Sequence, residues 1–221
     1  MILTLLLASC TLAATEEKRG PQSYTDEQLI RAARQAGDTD SIRELAHRGK
    51  AIHKTVLEDI AEHYEEIRPW SVKDQPKDFL DMQIERGVRN TARLELARLG
   101  SERHFMMFVA DLSTTNANIQ VEAITALAKL GNQAAIKFLV EHLDDGATQR
   151  LPSDVESRSV GSQAGAAINS LLGSQSPHED LVLLAKRGVT DESFVAFWKQ
   201  WWEKNKPKYS QISFNQGRPK K

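Results

Sequence analysis

The pattern Ala-x-x-x-Leu-Ala-x-Leu-Gly occurs twice in this chain. It appears as Ala92, Leu96, Ala97, Leu99, Gly100 and again as Ala123, Leu127, Ala128, Leu130, Gly131, with the two glycines 31 residues apart. After each glycine the apolar positions match again, Phe105 with Ile136, Phe108 with Leu139, Val109 with Val140 and Leu112 with Leu143. Steps of three and four residues are helical, and a glycine closing each run is a helix stop. A unit of this length holds two short amphipathic helices, neither of which can bury its apolar face alone. The period therefore predicts an all-α fold, an α-helical solenoid of stacked helix pairs. Nothing alternates with a period of two for long enough to argue for strands.

Composition narrows the function classes. A formal net charge of −1 is not that of a chain built as a whole to bind nucleic acid or an anionic membrane. The charge is uneven, because Lys204, Lys206, Lys208, Arg218, Lys220 and Lys221 gather at the C-terminus with no acidic residue among them. The single cysteine excludes an internal disulfide and a Cys-based zinc cage.

That cysteine stands in an informative place. Met1–Ala8 is apolar, and Leu7-Ala8-Ser9-Cys10 matches the bacterial lipobox, in which signal cleavage leaves a cysteine that is acylated. Residues 1–9 thus read as a signal-like segment, Cys10 as a lipidation site and residues 10–23 as a polar tether. The alternative is an apolar N-terminus with an incidental cysteine, in a secreted or cytoplasmic protein, since no Lys or Arg precedes the apolar run.

The solenoid is expected over residues 24–205. Thr25 and Gln28 form a capping box ahead of Leu29, Ile30, Ala32, Ala33 and Ala36, with Gly37 as the stop. A helix at Asp40–His47 follows, stopped by Gly49, and another at Ala51–Ile67 with Ile52, Val56, Ile60 and Ile67 on one side. The pattern then predicts helices at Phe79–Leu99, Glu102–Leu112, Asn118–Leu130, Asn132–Leu143 and one ending at Leu172, with Asn116 or Asn118 as a cap. From Leu112 to Ala123 the chain takes 11 residues, but from Leu143 to the equivalent Gly165 it takes 22, so this unit carries an insertion with a second capping box at Ser153–Glu156. Leu181, Leu184 and Ala185 begin another pair. A Trp-rich helix from Thr190 or Asp191, stopped before Pro207, closes the stack and covers its apolar end, leaving residues 206–221 as a basic, disordered tail.

The twin segments, with Val88-Arg89 opening the first, resemble HEAT repeats of the short bacterial type, which also occur in phycobilin lyases. The resemblance covers Phe79–Leu172. It implies antiparallel helix pairs stacked into a right-handed superhelix whose concave side is lined by the helices ending at Leu99, Leu130 and Leu172, and a protein partner held there. The repeated residues are packing residues, so the likeness speaks to fold more than to function.

Candidate sites follow from departures from the repeat. Arg86, Arg89 and Arg93 share one helix face and form a basic strip suited to an acidic protein partner. The bland reading is a solvated face, with Glu85 paired to Arg89. The insertion at residues 144–159 offers Asp144, Asp145 and Arg150 as an edge-binding loop, or equally a neutral surface loop. Glu44 with His47, and Glu62, His63 and Glu66, sit at helical spacing but lack a His-Glu-x-x-His pair, so no metal site and no cofactor are expected. No residue qualifies as catalytic. The expectation is a non-enzymatic protein-interaction scaffold of the cell envelope, lipid-anchored through Cys10 and without a nucleic-acid partner. The alternative is a ligand- or cofactor-handling enzyme of the bilin-lyase kind that uses the concave groove.

Overall fold

The computed structural model describes residues 20–67, 79–148 and 159–219. It divides into two compact units, residues 1–95 and 96–221. All of the long elements are helices, as the repeat period requires, and among the described residues none is long and apolar enough to cross a membrane.

In the first unit the local signals act where the sequence puts them. The Thr25 side chain accepts from the Gln28 N–H at 3.3 Å, and the Gln28 side chain accepts from the Thr25 N–H at 2.8 Å, starting α1 (Asp26–Arg31). One wider turn, Ala32–Ala36, carries α1 to Gly37 at φ 62°. That position requires glycine twice over, since a Cβ there would also lie 2.4 Å from the Tyr64 hydroxyl. Asp38 caps α2 (Thr39–Arg48), accepting from the Ser41 N–H at 3.1 Å. α3 (Ala51–Ile67) bends at His63, and α4 (Phe79–Arg98) follows. The core joins Leu29, Ile42, Leu45, Leu57, Ile60 and Val88. Ile52, expected on the apolar side of α3, is instead 55% exposed. The buried stripe runs through His53, Val56, Leu57, Ile60, Ala61 and Tyr64, which turns Ile52 outward.

An ion-pair network ties the start of α1 to the end of α2. Asp26 accepts from Arg48 at 2.9 Å and from Lys50 at 2.5 Å, and Arg48 also pairs with Glu44 at 2.8 Å. The hydrogen bonds from Lys50 and then Arg48 lower the Asp26 carboxyl to about 2. A carboxyl held below its unfolded value of about 3.9 stabilises the fold above that value, and the contribution is lost as pH falls through the folded value. Urea-unfolding free energies of the wild type should therefore decline between about pH 4 and pH 2, and Asp26→Asn should remove that part of the decline. Parallel pH profiles for the two proteins would refute it.

The second unit carries the repeats. α5 (Glu102–Leu112) and α6 (Ala117–Leu130) form a hairpin, with the Asn116 side chain accepting from the Asn118 N–H at 3.0 Å. α6 then stacks on α8 (Val160–Leu172), which is capped by Ser159. Repeat-equivalent residues share burial: Leu96 and Leu127, Phe105 and Ile136, Phe108 and Leu139, and Leu112 and Leu143 are all buried. Leu99 is the departure, 45% exposed where Leu130 is buried. The continuous helix expected over Asn132–Leu143 is broken into a tight turn Gln133–Ala135, α7 (Ile136–Leu139) and a second tight turn Val140–His142. α9 (His178–Lys186) buries no residue fully, and Val182 and Leu183 are exposed.

The Trp-rich helix α10 (Asp191–Tyr209) starts from a Thr190–Ser193 capping box and packs on α8. Trp198 is its fully buried anchor, ringed by Phe194, Phe197 and Trp201, while Trp202 is half-buried. Two expectations are corrected here. The helix does not stop before Pro207, and the residues after it, as far as Pro219, do not form a disordered tail. Proline this late removes one intrahelical bond, the Ser210 N–H still reaches the Lys206 carbonyl at 3.0 Å, and burial of Tyr209 holds the last turn. A further short helix, α11 (Phe214–Gly217), packs on the Gln133–Ala135 turn with Phe214 buried.

Candidate functional site

Arg86, Arg89 and Arg93 do share one stripe of α4, and 45%-exposed Met82 continues it one turn earlier. The stripe is not an open row of charge. All three arginines are half-buried; Arg89 Nε donates to the Ala61 carbonyl on α3 at 3.3 Å, and Arg93 donates to the Asn90 side chain at 3.4 Å. Glu85 and Glu95, on the same helix, are 5% and 7% exposed, and these two and the three arginines are all engaged in contacts. A carboxylate buried this deeply needs partners, so part of the basic charge serves the helix itself. The three arginines are half-buried, and the exposed Met82 flanks them.

The two described ends of the insertion, residues 144–148 and Ser159, are held by specific contacts. Asp145 accepts from Gln120 Nε2 at 2.8 Å and from the Ala147 N–H at 2.9 Å, and its carbonyl takes the Gly161 N–H at 2.9 Å. Thr148 and Ser159 pair as an isolated antiparallel bridge, and the Ser159 N–H donates to Asp191 at 3.1 Å. Asp144 pairs with Lys199 of α10. Both ends of the insertion are thus clamped at a neck. Asp144 and Asp145 build that neck, with their carboxylates engaged to Lys199 and to Gln120. The signal that could have pointed there is Gln120, a polar residue on the buried stripe of α6, which is 5% exposed with its amide shared between Asp145 and the Leu112 carbonyl. Arg150, the Ser153–Glu156 capping box, Cys10 with the lipobox, and the Pro69–Lys77 loop lie outside the described residues.

Glu44 and His47 border an open hollow of about 520 Å³ in the first unit, together with Gly20, Asp40 and Arg43. Arg43 is held by Asp40 at 2.6 Å and Glu44 by Arg48, so its charged lining is already paired. Among the described residues no three His, Cys, Asp or Glu side chains are grouped to hold a metal ion.

The surface that sequence reasoning missed is built by the tail. Asn132, fully buried, spends both ends of its amide: Oδ1 accepts from the Ala134 N–H at 3.0 Å and Nδ2 donates to the Phe214 carbonyl at 2.9 Å. The Phe214 ring lies 5.1 Å from that of Phe105, and Lys137 donates to the Ile212 carbonyl at 3.3 Å. Arg218 crosses bare Gly100 and donates to the Arg98 carbonyl at 2.8 Å, and Pro219 covers Gly131. The stop glycines of the two repeats are thus the floor on which the tail lies.

Residues 85–156 match the family model for HEAT repeats. The match begins inside α4, takes in α5 to α7 and ends in the insertion, so it covers the three arginines and the 144–148 side of the neck. HEAT repeats in general mediate protein–protein interaction. No curated protein and no solved structure matches the chain.

Proposed function

We propose that this chain is a non-enzymatic protein-binding scaffold of the bacterial cell envelope, held at a membrane by a lipid on Cys10. The observation that carries the reading is the HEAT-repeat match over residues 85–156, because the repeated residues are packing residues and leave the faces between them to partners. The lipobox Leu7-Ala8-Ser9-Cys10, containing the only cysteine of the chain, supports the anchor. The partner surface is the stripe Met82, Arg86, Arg89 and Arg93. An apolar residue beside guanidinium edges fits an acidic protein segment with a hydrophobic residue next to its carboxylates.

Affinity capture from detergent-solubilised membranes tests both parts. The arginines should go to glutamine, since glutamate at position 89 would face the Ala61 carbonyl that Arg89 now holds. The triple variant should recover at least about tenfold less partner, a loss of roughly 1.4 kcal/mol or more. Incorporation of a fatty-acid probe should vanish in Cys10→Ala. Equal recovery removes the stripe from the proposal, and equal labelling removes the anchor.

A further inference from the structure

We infer that the surface under the C-terminal tail is a peptide-recognition site for partner segments bearing Phe-x-x-Gly-Arg, and that the tail closes it in cis. The inference uses none of the residues of the arginine stripe and does not depend on the membrane anchor.

The contacts have the selectivity of ligand recognition. Phe214 is buried against Phe105, and Phe138 meets Phe105 edge-on at 6.2 Å. Three residues on, Gly217 admits no side chain, for a Cβ would fall 2.1 Å from Asn132 Oδ1 and 2.5 Å from the Ala134 nitrogen. Arg218 then meets the carbonyl end of α4, where the helix dipole favours a cation. Between these anchors Asn215 and Gln216 are exposed and specify nothing. Asn132 and Lys137 read main-chain carbonyls, at Phe214 and Ile212, and so accept any chain of this shape.

The tail is also poorly suited to be permanent core. Phe214 is its one buried large side chain after Tyr209, and Gln211, Ser213, Asn215, Gln216 and Pro219 are exposed. A segment with so little apolar burial opens more readily than the helices beneath it. Its own fold is local, a Ser213–Gln216 capping box, so the same short motif can be supplied by another chain. Tethering raises the effective concentration of the tail at its site and keeps weaker external ligands out.

A fluorescein-labelled peptide of residues 210–219, followed by anisotropy, tests this on the full chain. Gly217→Leu should undock the tail while leaving the site intact. The peptide should then bind that variant saturably and at least about tenfold more tightly than it binds the wild type. A Gly/Ser peptide carrying only the Phe, Gly and Arg at this spacing should also bind. Adding Asn132→Ala to the variant, or Leu in place of the peptide's own glycine, should abolish binding. No binding to a folded Gly217→Leu chain overturns the inference, as does equal binding to the wild type. Phe214→Ala serves in the same assay should Gly217→Leu fail to fold, judged by far-UV circular dichroism. Failure of both variants to fold overturns it too, because the tail would then be core. A wild-type dimer by light scattering that Gly217→Leu converts to monomer also overturns it, the tail being then an exchange element between copies.

Discussion

Trp198→Ala is expected to cost about 3–5 kcal/mol in urea unfolding and to lower the melting temperature by on the order of 10 °C. Trp198 is fully buried, and the residues around it are poorly placed to fill its space. Gly165 of α8 faces it so closely that a Cβ there would stand 2.6 Å from the indole Cδ1 and 2.9 Å from the Phe194 ring. Two helices drawn together on a bare glycine leave a cavity when the large partner is cut away. Trp198→Phe should cost clearly less. It keeps most of the ring, and it removes an indole N–H that has no hydrogen-bond partner among the described residues. Trp202→Ala, from a half-buried position on the same helix, is the control and should fall well short of Trp198→Ala. A loss below about 1 kcal/mol for Trp198→Ala would mean that α10 does not anchor the second unit through this residue.

Gly161→Ala is expected to destabilise by at least about 1–3 kcal/mol, although alanine is the better helix former. At this position the added Cβ would lie 2.1 Å from the Leu143 carbonyl oxygen and 2.9 Å from its carbon, both main-chain atoms. Main chain cannot swing aside as a side-chain tip does, so the neck of the insertion has to open. Loss of the Gly161 bond to the Asp145 carbonyl and of the Thr148–Ser159 bridge should follow, and limited proteolysis should then cut faster within residues 144–159. Gly87→Ala reverses the sign. That glycine lies in α4, and a Cβ added to it would meet nothing within 4 Å, so alanine there should add roughly 0.5–1 kcal/mol of stability. Equal effects at the two glycines would refute the close approach at the neck.

The parts of this fold legible in the sequence are those decided within a few residues. Thr25 with Gln28, Asn116, Gly37, Gly49 and Gly131 act as caps and stops because each needs only its own turn of backbone. The buried stripes of α5, α6 and α8 follow from the helical period and from the matching of one repeat with the next. The candidate sites were harder to read because charge was counted without partners. In the sequence Arg89 has only Glu85 as a local partner, and Asp145 has no Lys or Arg at helical spacing. In space one holds the Ala61 carbonyl and the other clamps Gln120 to a turn.

An all-α fold, most helix ends and the faces that the repeats bury can be read from the chain alone, since helix capping and amphipathic spacing are local physics. The neck of the insertion and the docking of the tail come instead from contacts between distant residues. Phe214 stands in a polar stretch that reads as disordered, and it is buried against Phe105 and held by Asn132, a residue 82 positions away. Contacts across such separations leave no periodic trace in the chain. The two stop glycines add to them, because without side chains they leave room for the Arg218 guanidinium over Gly100 and the Pro219 ring over Gly131.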